Sequence, residues 1–203
     1  MLKHGFKVLR QWLPERRLRN RIVLIGVLVM VAAATSSCVS PGSDWVAAHN
    51  KYRCMHGVPP LSWNADYADV AEWRATNCQH CAHCTCEAPD CQPQYAKQYA
   101  ENATCYPATA QQAVDAWYSE IQNYDYNDPK WSSVDPKTGH FINVVVSTAK
   151  YVGCFCANQH CYCDYDSMYG TTPAALSQLV PEPVNSEQFC QGATYSTGTG
   201  WTK

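Results

Sequence analysis

Glu120 stands where a carboxylate needs a reason to be. Between Ala110 and Tyr124, the residues Ala113, Ala116, Trp117, Ile121 and Tyr124 recur at i, i+3, i+4, i+8 and i+11, which is the apolar stripe of a helix. Glu120 lies on that stripe, one turn from Ala116 and Trp117. A charge left unpaired on such a face is costly, so this carboxylate must be ion-paired, hydrogen-bonded or set into a cleft wall. The bland alternative is a boundary glutamate bridged to a nearby base. A second polar group of interest, His140, opens the run His140-Phe141-Ile142-Asn143-Val144-Val145-Val146. Rich in β-branched residues and short for a helix, that run reads as a buried strand, with His140 on the face of Ile142, Val144 and Val146. A histidine alone there is an ordinary core residue; an imidazole and a carboxylate together can orient water, move a proton or ligate a cation.

The elements that must position these groups follow from periodicity and caps. Ser43-Asp44 precede a helix from Trp45 to Met55, with Trp45, Ala48 and Tyr52 on one face and Gly57 closing it. Val58-Pro59-Pro60-Leu61 is a rigid turn, after which Asn64 caps a second helix carrying Ala68, Ala71, Ala75 and Cys78. A cysteine-rich loop follows, with Cys78, Cys81, Cys84, Cys86, Cys91 and Cys105. Thr109 and Gln112 have capping-box spacing at the start of a third helix over 110–124. Tyr151 to Cys156 and Cys161 to Tyr165 form a hairpin around Ala157-Asn158-Gln159-His160, and a weak helix is expected from Ala174 to Val180. Ser196 to Lys203 reads as a loose end.

The chain has 203 residues, of which 16% are charged, and a formal net charge of −2. No basic field exists to hold nucleic acid. Residues 1–21 carry Lys3, Lys7, Arg10, Arg16, Arg17, Arg19 and Arg21 against Glu15, and Ile22 to Ala34 then runs 13 residues without a polar side chain. That length suits the core of a signal sequence and falls short of the ~20 residues of a spanning helix. Residues 1–37 are therefore a signal sequence cut near Thr35-Ser36-Ser37, with two alternatives: an uncleaved anchor, or lipidation of Cys38, for which Thr35 replaces the usual leucine. Export suits thirteen cysteines, since disulfides persist in oxidising compartments. Without Cys38, twelve remain for up to six disulfides. The spacing Cys78-x-x-Cys81 and the flanking His80, His83, Cys84 and Cys86 also fit a zinc-thiolate knot, but an exported chain oxidises such thiols.

Six segments in order resemble the CAP superfamily of cysteine-rich secretory proteins, insect venom antigen five and plant pathogenesis-related proteins of group one: His49-Asn50-Lys51-Tyr52-Arg53, His56-Gly57-Val58-Pro59-Pro60-Leu61, Ala100-Glu101-Asn102, Trp117-Tyr118-Ser119-Glu120-Ile121, Gly139-His140-Phe141 and Val152-Gly153-Cys154. The resemblance spans residues 44–170, leaving 171–203 as a C-terminal extension. It implies an α+β fold, a disulfide-rich three-layer α-β-α sandwich. It also implies a cleft tetrad of two histidines and two glutamates, in which His83, Glu101, Glu120 and His140 take the family's positions and His83 and His140 hold Zn²⁺ or Mg²⁺. The first histidine normally follows the cysteine by four residues; here that position is Ala82, between His80 and His83, and a one-residue insertion selects His83. Two protein nitrogens bind zinc weakly beside the usual three or four ligands. The resemblance further pairs Cys154 with Cys163 and joins Cys78 to a cysteine of the hairpin region.

Tyr124, Tyr126 and Trp131 in the loop after the third helix resemble the caveolin-binding-like loop through which some family members bind sterols; the plainer reading packs these rings on the sheet. Asn102-Ala103-Thr104 fits a glycosylation acceptor, although in this family that asparagine is a hydrogen-bonding cleft residue. The leading expectation is an extracellular protein that binds a sterol or other small lipid and meets a membrane only through an N-terminal anchor or lipidated Cys38. The alternatives are a metal-assisted hydrolase with Glu101 or Glu120 as base, and a cysteine-rich effector that engages a protein receptor.

Overall fold

The computed structural model describes residues 42–78, 82–89, 91–130, 137–167 and 173–203. The expected leader, Cys38, His80, Cys81 and Trp131 lie outside the described residues. Helix α1 (Ser43–Met55) is followed by β1 (Ser62–Trp63), α2 (Ala65–Asn77), α3 (Pro93–Ala96) and β2 (Ala100–Thr104). Next come α4 (Ala110–Tyr118), a 3₁₀ turn (Ser119–Asn123), α5 (Gly139–Val145), β3 (Tyr151–Ala157) and β4 (His160–Tyr165). Helices α6 (Pro173–Leu179) and α7 (Glu187–Cys190) and the strands β5 (Thr194–Ser196) and β6 (Gly200–Thr202) complete the chain.

The expected starts are where the caps form. Asn64 accepts from the backbone N–H groups of Asp66 and Tyr67 at the start of α2. Thr109 and Gln112 close a reciprocal capping box on α4, each satisfying a donor that the helix itself leaves free. The main sheet runs in the order β1-β3-β4-β2, parallel between β1 and β3 and antiparallel elsewhere. Asn158 and Gln159 both take positive φ at the β3–β4 turn, the backbone of a tight two-residue hairpin loop.

Alternation along the strands separates two layers. Val152, Cys154, Cys163 and Tyr165 join a core with Ala48, Trp117, Phe141 and Val144 from α1, α4 and α5. Tyr162, on the opposite face, packs with Ala71 and Ala75 of α2 and with Cys78 just past its end. At Gly153 a Cβ would stand 2.0 Å from the Ala68 nitrogen, so α2 lies directly on β3. The result is the expected α+β sandwich, helices on both faces of a sheet.

Three expectations are corrected. The segment at His140 is helix α5, not a strand. Its β-branched residues are outweighed by long-range partners at both ends. Glu120 accepts from the N–H groups of His140 and Phe141 at 2.9 and 3.2 Å, and the buried Arg53 donates to the Val144 and Val146 carbonyls at 3.1 and 3.0 Å. Those are the orphan donors and acceptors of a short helix, and satisfying them lets tertiary context override propensity.

The C-terminus is likewise no loose end. Cys190 is joined to Cys54 of α1, Val184 and Asn185 donate to the Met55 carbonyl at 2.7 and 3.0 Å, and Trp201 of β6 donates to the Val58 carbonyl at 2.8 Å. The tail caps the C-terminal end of α1.

Disulfides join Cys78 to Cys84, Cys86 to Cys91, Cys154 to Cys163 and Cys156 to Cys161. Cys78 thus closes a local loop instead of reaching the hairpin, and Cys78, Cys84 and Cys86 are not thiolates available to a zinc knot. Among the described residues Cys105 is a free, exposed thiol.

Candidate functional site

Helix α4 ends at Tyr118, six residues short of the expected Tyr124, and Glu120 falls in the 3₁₀ turn that follows it. There its carboxylate does three things at once. Oε2 receives the two backbone N–H groups of α5, and Oε1 lies 2.8 Å from Nδ1 of His140. The carboxylate is therefore both a helix cap and the group that orients the imidazole, and this is the reason its place on an apolar stripe demanded. Trp117 stands 6.3 Å from the His140 ring and donates its indole N–H to the Ala103 carbonyl of β2 at 3.1 Å, tying α4 to the strand that carries Glu101.

Glu101 repeats the arrangement on that edge strand. Its Oε1 lies 2.5 Å from Nδ1 of His83, a residue of the loop that leaves α2. The glutamate side chain is 3% exposed and the His83 side chain 69%, so an outward imidazole is held by an inward carboxylate. Partial desolvation of the ring, followed by the charges of His140 and Arg74, lowers the pKa of His83, an effect that its 69% exposure leaves open to screening by solvent.

Asparagines bridge the two halves. Asn102 Nδ2 donates to the His140 carbonyl and to the Tyr165 hydroxyl, each at 3.1 Å. Asn143 Nδ2 donates to Asn102 Oδ1 at 2.8 Å and to the Glu101 carbonyl at 3.1 Å. Behind them the Tyr165 hydroxyl meets His49 Nε2 at 2.8 Å, and His49 Nδ1 meets the Trp45 carbonyl at 2.8 Å. Since Nδ1 must donate to a carbonyl, Nε2 accepts from the tyrosine. His49 is a neutral imidazole, its pKa lowered to about 4 chiefly by burial. Fully buried and with its amide committed twice, Asn102 offers no place for a sugar.

The structure pairs His83 with Glu101 and His140 with Glu120, links the two pairs through Asn102 and Asn143, and adds three residues that the sequence reading did not single out: Asn143, Arg74 and Asp164. Arg74 ion-pairs with Glu101 Oε2 and lies 3.3 Å from Asp164. Its signal was present, because it sits beside Ala71 and Ala75 on the buried face of α2, the kind of placement that drew attention to Glu120.

As a donor set for a cation, the pattern is a familiar one. Each imidazole spends Nδ1 on a carboxylate, which leaves Nε2 with its lone pair, the carboxylate–histidine arrangement that orients metal ligands. Among the described residues no group of three or more His, Cys, Asp or Glu side chains is placed to hold a metal. Each of the two histidines thus keeps one ring nitrogen uncommitted among the described residues. Both carboxylates already accept from imidazole, backbone or guanidinium.

Of the aromatic loop, Tyr124 is buried and packs on Phe141 with ring centroids 5.1 Å apart, and Tyr126 packs edge-on against Tyr124 at 4.9 Å. Both phenol hydroxyls are buried without a hydrogen-bond partner among the described residues. Burial pushes the Tyr124 phenol up to about 12.

Residues 46–169 match the profile of the CAP family, the cysteine-rich secretory protein family. The chain belongs to the CAP family. Within it, this CAP domain is 30% identical over 134 residues to pathogenesis-related protein 1A of Nicotiana tabacum, covering 65% of this chain and 76% of that protein. It is 32% identical over 122 residues to the protein "Repressed by EFG1 protein 1" of Candida albicans, covering 60% of this chain and 42% of that relative. The chain thus spans less than half the length of the Candida relative. The crystal structure of hookworm platelet inhibitor superposes with a TM-score of 0.51 at 17% identity, over 76% of this chain and 84% of that one, a likeness of fold.

Proposed function

We propose that this CAP domain is a secreted binding protein that takes a sterol or similar small lipid at the aromatic loop, beside a His/Glu cleft that holds a divalent cation weakly. The observation that carries the lipid reading is the pair of buried phenol hydroxyls of Tyr124 and Tyr126, without a hydrogen-bond partner among the described residues and set in an aromatic wall with Phe141. Buried polar groups normally find a partner. A flat apolar ligand bearing one hydroxyl supplies surface for the rings and a hydrogen bond for the phenols. The five disulfides among the described residues support an oxidising, extracellular setting. The cation would sit on Nε2 of His83 and His140, where it would add positive charge to the cleft and polarise bound water.

The test of the lipid reading is titration of the secreted protein with a fluorescent sterol. Binding should weaken on Tyr126→Phe, which removes only the hydroxyl, and fail on Trp131→Ala. Sterol binding that survives Tyr126→Ala and Trp131→Ala removes the loop from the reading. For the cation, calorimetric titration with Zn²⁺ should show weak uptake that disappears in His140→Ala; uptake indifferent to that change places the metal elsewhere.

A further inference from the structure

The exposed His83 is steadied by something wholly buried. Glu101 of β2 and Asp164 of β4 are directly opposed in the sheet ladder, and like charges so placed repel. Arg74 of α2 resolves the conflict. Its Nη1 pairs with Glu101 Oε2 and lies 3.3 Å from Asp164 Oδ1, while Nη2 donates to the Lys97 carbonyl at 3.2 Å. The three side chains are 3% exposed or less. Asp164 has no hydrogen-bond partner among the described residues, and the guanidinium of Arg74 is the opposite charge beside it. Because Oε2 of Glu101 is taken by the guanidinium, Oε1 is the oxygen left for Nδ1 of His83. A chain of contacts thus runs from Asp164 through Arg74 and Glu101 to an imidazole at the cleft.

We infer that Arg74 and Asp164 are positioning residues that fix the orientation and charge of Glu101, and through it the Nδ1–H tautomer of His83 that the cleft uses to take a cation. Two carboxylates share one guanidinium, so Glu101 is only partly neutralised and keeps its strength as an acceptor. The inference rests on the cation reading of the cleft for its purpose and on the ion-pair geometry for its mechanism. Burial pushes the Asp164 carboxyl up to about 7, against the lowering pull of Arg74, so at pH 8 the shared state is the populated one. Tyr67 and Tyr99 are the phenols that feel the Asp164 charge.

The experiment reads the tautomer of His83 directly, by ¹⁵N-resolved NMR of the imidazoles in the full secreted chain at pH 8, with Zn²⁺ titrations on the same samples. Wild type should show His83 as the Nδ1–H form. Arg74→Met should move it toward the Nε2–H form favoured by an unrestrained imidazole and weaken zinc about tenfold, the scale of losing an outer-shell partner. Arg74→Lys should restore part of both effects, and Asp164→Asn should shift both in the direction of Arg74→Met. The double variant Arg74→Met/Asp164→Leu removes opposite charges together and keeps the test open if a single variant fails to fold; it should still lose the Nδ1–H preference. His140, oriented by Glu120, should be unchanged throughout and reports that the fold is intact. His83 found as Nε2–H in wild type, or unmoved in folded Arg74→Met or double variant, overturns the inference. A tautomer that responds as expected in a chain that takes no zinc sinks the cation reading and leaves the positioning role standing.

Discussion

Replacing Arg53 by Met should destabilise the fold more than most single substitutions, and the structure sets the scale. The guanidinium is fully buried and makes four bonds to backbone oxygens, to Pro59 at 2.7 Å, Val144 at 3.1 Å, Val146 at 3.0 Å and Ala149 at 2.9 Å. A hydrogen bond to a charged group contributes about 1.5–3 kcal/mol, and each stranded buried acceptor costs about 1–3 kcal/mol. Removal of the costly buried charge offsets much of that sum, leaving a net loss of about 3–5 kcal/mol, the range seen when one member of a buried charged set is deleted. For a domain of this size the melting temperature should fall by roughly 10 °C. Differential scanning calorimetry at pH 7, with the disulfides oxidised, measures it. Arg53→Lys, which keeps the charge and reaches fewer carbonyls, should lie between. A folded Arg53→Met within about 1 kcal/mol of wild type would refute the claim that these four carbonyls depend on the guanidinium.

Other outcomes follow from single contacts. Gly153→Ala should cost about 3 kcal/mol or abolish folding, because the new methyl meets backbone atoms of Ala68 and Tyr67 rather than a flexible side chain; the secreted yield and urea midpoint report it. Glu120→Gln weakens the cap on α5 and frees the His140 ring, and should lower stability by about 1–2 kcal/mol in urea unfolding. His49 stays unprotonated in the fold down to about pH 4, whereas its unfolded counterpart takes a proton near 6.5. Its contribution is complete above pH 6.5 and is lost as pH falls toward 4, on the order of 3 kcal/mol. Asp164 acts in the opposite sense, its share declining as pH rises from about 4 toward 7. Urea unfolding at pH 7 and 4.5 should therefore show wild type losing more stability than His49→Gln on acidification.

The parts of the fold that were legible are those whose cause is local. Asn64 and the Thr109–Gln112 pair announce helix starts within three residues of themselves, and the Asn158–Gln159 turn announces its hairpin. The segment at His140 was not legible in this way. Its valines and isoleucine speak for a strand, and the partners that make it a helix, Arg53 and Glu120, lie far away in the sequence. The tail was misjudged for a related reason, since Cys190 and Trp201 find their partners on and beside α1. At the cleft, motif resemblance supplied His83, Glu101, Glu120 and His140, while Arg74 and Asp164 gain meaning only once α2 is laid on the β2–β4 ladder.

Four of the disulfides close rings with sequence separations of 5, 5, 6 and 9 residues, whereas Cys54 and Cys190 are 136 residues apart. A chain that emerges N-terminus first can shut each short ring almost as soon as its second thiol appears. Cys54 has to wait, reduced, while nearly every other cysteine of the domain passes by. The spacing favours an order of oxidation: quick local closures use up most of the competing thiols, and the long clasp, whose second cysteine is made last, closes after them. Its burial inside α1 then keeps that sulfur away from exchange, so an early mistake at Cys54 is the one an isomerase would be needed to undo.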